Sequence, residues 1–62
     1  MTLIKIGSRF VNMDNVSLIT VDKPYQGSIR VFFNDDSNKD FEGQEAEALR
    51  WWLTRNSVDV LD

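Results

Sequence analysis

The chain has 62 residues, 42% of them apolar and 27% charged, and a formal net charge of −3. That length holds one small domain, residues 1–62, and that composition is too apolar for a disordered chain. Cysteine and histidine are both absent, which excludes disulfides, thiolate nucleophiles, imidazole bases and histidine/cysteine metal sites.

Two short runs, residues 3–6 and 9–12, flank Gly7-Ser8 and predict a hairpin with a type II′ turn. In that register Ile6 faces Arg9 and Ile4 faces Val11. Ile4, Ile6 and Val11 then share the core face, with Leu3, Lys5, Phe10 and Asn12 on the other. Residues 12–15 bond readily to their own backbone and predict a tight turn or a single helical turn, with Met13 plugging the core end. Residues 16–21 read as a strand. Val16 and Leu18 lie on one face and Ile19 and Val21 on the other, so a central strand covered on both sides is expected.

Lys23 to Ser28 is a turn segment punctuated by Pro24 and Gly27. Residues 29–33 form the next strand, with Ile29, Val31 and Phe33 on one face and Arg30 and Phe32 on the other. A second turn over residues 35–38 leads to a short strand, 39–42, with Phe41 inward. The one convincing helix starts at Gly43 or Gln44 and runs to about Arg55. Glu45 and Glu47 in its first turns and Arg55 in its last suit the macrodipole, and Asn56 is the expected left-handed terminator. Residues 57–62 read as a frayed tail or a short extra strand. The expected fold is α+β: a β-β-β-β-α module, a four-stranded antiparallel meander with one C-terminal amphipathic helix packed on it.

A domain this small buries only about 60% of its unfolded surface, so its stability margin is thin and a second copy is the simplest supplement. Charge is unevenly spread. In residues 1–31 Lys5, Arg9, Lys23 and Arg30 outweigh Asp14 and Asp22 by two, whereas residues 32–62 carry a net −5. The overall acid excess disfavours non-specific binding to nucleic acid or anionic membrane. No apolar run has signal length and none spans a bilayer, so a cytoplasmic protein with no membrane partner is expected.

The tryptophans point different ways. At 100° per residue Ala46, Leu49 and Leu53 cluster within about 60°. Trp52 lies about 60° beyond Leu49, at the edge of that stripe, and Trp51 about 160° from its centre. One helix on one sheet cannot bury both indoles. Trp52 is therefore expected at the core edge, and Trp51 outward near Ala48 and Arg55. Either residues 58–61 fold back over Trp51, or Trp51, Ala48 and Arg55 form a protein interface, or the ring is simply exposed; the interface is the favoured reading.

Other patterns carry less. Asp36, Asn38, Asp40 and Glu47 fall at positions 1, 3, 5 and 12 of a calcium-loop template, but Phe41 stands where it needs glycine. No metal and no cofactor are expected. Lys5, Phe10, Arg30 and Phe32, with Tyr25 at the rim, are candidates for a basic and aromatic sheet face that holds single-stranded nucleic acid. The alternative is that Phe10 and Phe32 pack on a partner sheet or the tail, and the acidic total favours it. No nucleophile-base constellation and no glycine-rich phosphate loop is present, so no catalytic residue is assigned.

Phe10-Val11-Asn12-Met13-Asp14-Asn15-Val16-Ser17-Leu18-Ile19, then Ile29-Arg30-Val31-Phe32-Phe33-Asn34 and an acidic helix, resemble small bacterial flagellar proteins of the FlbD type. The pattern is similar, more loosely, to the sheet portion of LytTR-type DNA-binding domains. In both, a hydrophobic-N-x-D-x-hydrophobic corner joins two strands. The chain departs from the flagellar type in Trp51-Trp52 and in residues 23–28, and from the LytTR type in length and in lacking a basic recognition loop. No functional residue carries over. The resemblance implies a bacterial origin and a binding or regulatory role. The expectation is a non-enzymatic interaction module, a homodimer through Trp51, Ala48 and Arg55, with an exposed sheet edge or the Phe10/Phe32 face as a further contact. The nucleic-acid-binding sheet is the alternative.

Overall fold

A computed structural model describes residues 2–61, so Met1 and Asp62 lie outside the described residues. Strands β1 (Leu3–Ile6) and β2 (Arg9–Asn12) form the expected hairpin, with Ile6 opposite Arg9 and Ile4 opposite Val11. Gly7 takes φ +61 at the first central turn position, where a type II′ turn needs glycine. Ile6 and Val11 are buried, and Leu3 and Phe10 are exposed on the outer face.

The chain then makes a single 3₁₀ turn, Met13–Asn15. The Asn12 side chain accepts from the Asp14 N–H at 3.1 Å, and the Met13 N–H reaches the Thr2 carbonyl at 2.8 Å. Half-buried Met13 packs against the core as expected. This corner corrects the expected meander. It ends the hairpin's pairing and sends β3 (Val16–Val21) into a second sheet with β4 (Ile29–Phe33) and β5 (Asn38–Phe41). There are five strands among the described residues, two in one antiparallel sheet and three in the other, in the order β3-β4-β5.

The central strand of the larger sheet is β4. β3 lies at its edge, against expectation, and its Leu18 is 58% exposed. A register shift between Val16 and Leu18 leaves Ser17 as an extra residue. The bulge turns Val16 and Ile19 to the same side, and both pack on the core, although strict alternation puts them on opposite faces.

Ser28 is fully buried before β4, and its hydroxyl donates to the Tyr25 carbonyl at 2.7 Å. The turn after β4 carries Asp36 at φ 71, and the Asp35 carboxylate accepts from the Ser37 N–H. Helix α1 (Gly43–Arg55) follows β5 and contacts β1, β4 and β5. Its inner stripe, Ala46, Leu49 and half-buried Leu53, meets Ile6 and Val11 of one sheet and Ile29, Val31 and Phe41 of the other. Glu42 at the N-terminus gives no side-chain cap; its carboxylate accepts from the Tyr25 hydroxyl instead. Asn56 is not left-handed: it has φ −122, and its amide donates to the Trp52 carbonyl at 2.8 Å, satisfying the helix end through the side chain.

Residues 57–61 form neither strand nor helix, and Val58, Val60 and Leu61 stand exposed. No helix among the described residues is long and apolar enough to cross a membrane.

Candidate functional site

The geometry of α1 settles where each indole goes. Trp52 is half-buried beside the core stripe, and Trp51 is 61% exposed on the opposite side. Residues 58–61 do not cover it, since their apolar side chains are themselves almost fully exposed. The Arg55 guanidinium lies over the Trp51 ring, 4.4 Å from its centroid, within reach of a cation–π attraction. The two belong to an open groove of about 590 Å³ lined by Glu47, Arg50, Trp51, Thr54 and Arg55. Ala48 is exposed on the same helix without lining the groove. Glu47 and Thr54 escaped the sequence reading, although their spacing of four and three residues from Trp51 puts them on its face.

Not every charge in the groove is available. Arg50 reaches across to Asp22 at 2.8 Å. Asp22 also accepts from the Gly27 N–H at 3.0 Å. That bond first, and Arg50 with it, hold the Asp22 carboxyl below its ordinary range. Glu47 and Arg55 have no ion-pair partner among the described residues.

A second cleft, of about 360 Å³, opens between the two sheets and is lined by Arg9, Phe10, Val11, Phe33, Lys39 and Phe41. Arg9 is held in it by two contacts. Its guanidinium stacks 4.2 Å from the Phe41 centroid and pairs with Glu45 at 2.6 Å. Nothing in the sequence pattern of the hairpin singles out Arg9, because its partners lie 31 or more residues away.

The candidates for a nucleic-acid face do not come together on one sheet. Lys5 and Phe10 stand on the hairpin, with the Lys5 ammonium 5.9 Å from the Phe10 ring centroid. Arg30 and Phe32 stand on the three-stranded sheet, because the corner at Met13–Asn15 separates the two. Both Asp40 oxygens accept from Arg30, at 2.7 and 3.0 Å. This fork raises the Arg30 pKa and lowers that of Asp40. Tyr25, at the rim, donates to Glu42, which pushes the phenol pKa up.

Asp36, Asn38, Asp40 and Glu47 do not gather either, with Asp40 committed to Arg30. No group of three or more acidic residues able to hold a metal ion occurs among the described residues.

No protein-family model matches the chain, and neither does any curated protein or any solved structure.

Proposed function

We propose that this chain is a non-enzymatic interaction module that associates with a second copy of itself through the outer face of α1. The observation that carries the proposal is Trp51. It is a large apolar ring left open to solvent on a rigid helix, uncovered by the segment that follows it. Tryptophan and arginine are the residues most enriched where binding energy concentrates, and here they are stacked on each other. A non-enzymatic role is supported by the engagement of Asp22, Asp40 and Glu45 with arginines. The resemblance to bacterial regulatory proteins points the same way, toward binding rather than chemistry in a bacterial cytoplasm.

Sedimentation velocity over a range of concentrations tests the proposal. A dimer is expected by high micromolar concentration, since one short helix offers a contact at the small end of specific interfaces. Trp51→Ala should keep the circular dichroism spectrum and lose the dimer. Deleting residues 57–62 should change neither. A wild-type chain still monomeric at high micromolar concentration refutes the proposal.

Nucleic-acid binding through Lys5, Phe10, Arg30 and Phe32 has less behind it, because those residues are split between two sheets and Arg30 is neutralised by Asp40. Salt-sensitive retention of a single-stranded oligonucleotide would reinstate it.

A further inference from the structure

We infer that two copies pack their α1 helices antiparallel about a two-fold axis at Trp51, with Glu47 of each copy paired to Arg55 of the other. This rests on the self-association proposed above and specifies its geometry.

Around Trp51 the outer face of α1 is arranged symmetrically in position and oppositely in charge. Glu47 lies four residues before it and Arg55 four residues after, each about 6 Å along the helix axis from the indole. Three residues away on either side stand Ala48 and Thr54, which are small enough for a second helix to come close. The groove's third charge, Arg50, is bound to Asp22 within the chain at 2.8 Å. That leaves Glu47 and Arg55, the latter stacked on Trp51, as the groove's charges without an ion-pair partner among the described residues, and they are opposite in sign.

A two-fold contact presents the same patch from both sides, so a residue before the axis meets one after it. An antiparallel helix pair centred on Trp51 therefore brings each Glu47 to the partner copy's Arg55, twice per dimer, with the two indoles meeting at the axis. A parallel pair in register sets Glu47 against Glu47 and Arg55 against Arg55, which like charges oppose. Antiparallel packing also opposes the helix macrodipoles favourably. The second copy is thus the partner whose charges match this face without any further assumption.

The test is charge reversal in the full chain, read by sedimentation with circular dichroism as the folding control. Glu47→Arg and Arg55→Glu, each alone, should weaken dimerisation about tenfold or more, since each sets like charges together at both ends. An equimolar mixture of the two single variants should form a heterodimer of about wild-type affinity, because both ends then pair opposite charges. The double variant, Glu47→Arg with Arg55→Glu, should recover self-association. Single reversals that leave dimerisation unchanged, or that weaken it without recovery on mixing or in the double variant, overturn this geometry while leaving self-association standing. A monomeric wild type removes both.

Discussion

Replacing Gly7 with alanine should cost about 2 kcal/mol, and the cost divides into two parts that a double-mutant cycle separates. The first part is backbone. Gly7 sits at φ +61, where an alanine Cβ crowds the following carbonyl at a cost of about 1–2 kcal/mol. The second is a contact. A Cβ there would lie 2.7 Å from Glu45 Oε2. That oxygen ends a flexible side chain and can yield, but the other carboxylate oxygen holds Arg9 at 2.6 Å. With the two side chains 42% and 34% exposed, displacing the pair adds about 0.5 kcal/mol.

The sum is a large share of the roughly 3–9 kcal/mol available to a chain of this length. It corresponds to a fall in melting temperature of about 10 °C. Thermal and urea unfolding followed by far-ultraviolet circular dichroism, at one fixed protein concentration, measures it. In a Glu45→Ala background the cost should shrink to the backbone part alone. A wild-type-background cost under about 0.5 kcal/mol would refute the turn assignment, and an identical cost in both backgrounds would refute the contact with Glu45.

Two further outcomes follow from polar groups. The Thr20 hydroxyl is buried without a hydrogen-bond partner among the described residues, so Thr20→Val should stabilise the fold by up to about 1 kcal/mol and raise the melting temperature by several degrees. A loss of stability there would mean the hydroxyl is satisfied. Asp22, Asp35 and Asp40 all titrate below ordinary carboxylates, held there chiefly by the Gly27 N–H, the Ser37 hydroxyl and the Arg30 guanidinium respectively. Their folded values lie below the unfolded ones, so the stability they contribute is complete above about pH 5 and is lost as pH falls through the folded values. Melting temperatures should hold from neutrality to about pH 5 and then drop, and Asp40→Asn should flatten the drop. A wild-type melting temperature that rises on acidification contradicts the assignment.

Local chemistry was legible in the sequence and long-range arrangement was not. Gly7-Ser8 determined both turn and register, so Ile6 and Val11 were placed inward correctly. The helical spacing of Ala46, Leu49 and Leu53 fixed the buried face, and with it the opposite fates of Trp51 and Trp52. What failed depended on partners far along the chain. Alternation cannot reveal that Ser17 is an extra residue, because the bulge is defined by what Phe32 and Phe33 pair with. Nor can the apolar run 16–21 report whether another strand lies beside it, and β3 proved to be an edge strand. Asn12-Met13-Asp14-Asn15 announced a turn but not its direction, and direction decides between one meander and two sheets. In the candidate site the ring and its arginine were legible from the helical wheel, whereas the withdrawal of Arg50 depends on Asp22, 28 residues away.

Among the described residues the two sheets share no hydrogen-bonded ladder; α1 touches strands of both and clasps them, beside the direct stacking of Arg9 of β2 on Phe41 of β5. Its inner face makes the core and its outer face carries Trp51, so anything that binds the outer face reinforces the clasp. If copies associate through this helix as proposed, folding and association are linked, and melting temperature should depend on protein concentration. Above the dissociation constant each tenfold rise in concentration should add about 0.7 kcal/mol per chain, half the value for one dimer, and shift melting upward by a few degrees. Trp51→Ala should melt at a temperature independent of concentration. If the variant keeps the wild-type dependence, copies associate through another surface, and the exposed Phe10 face of the hairpin becomes the one to alter next.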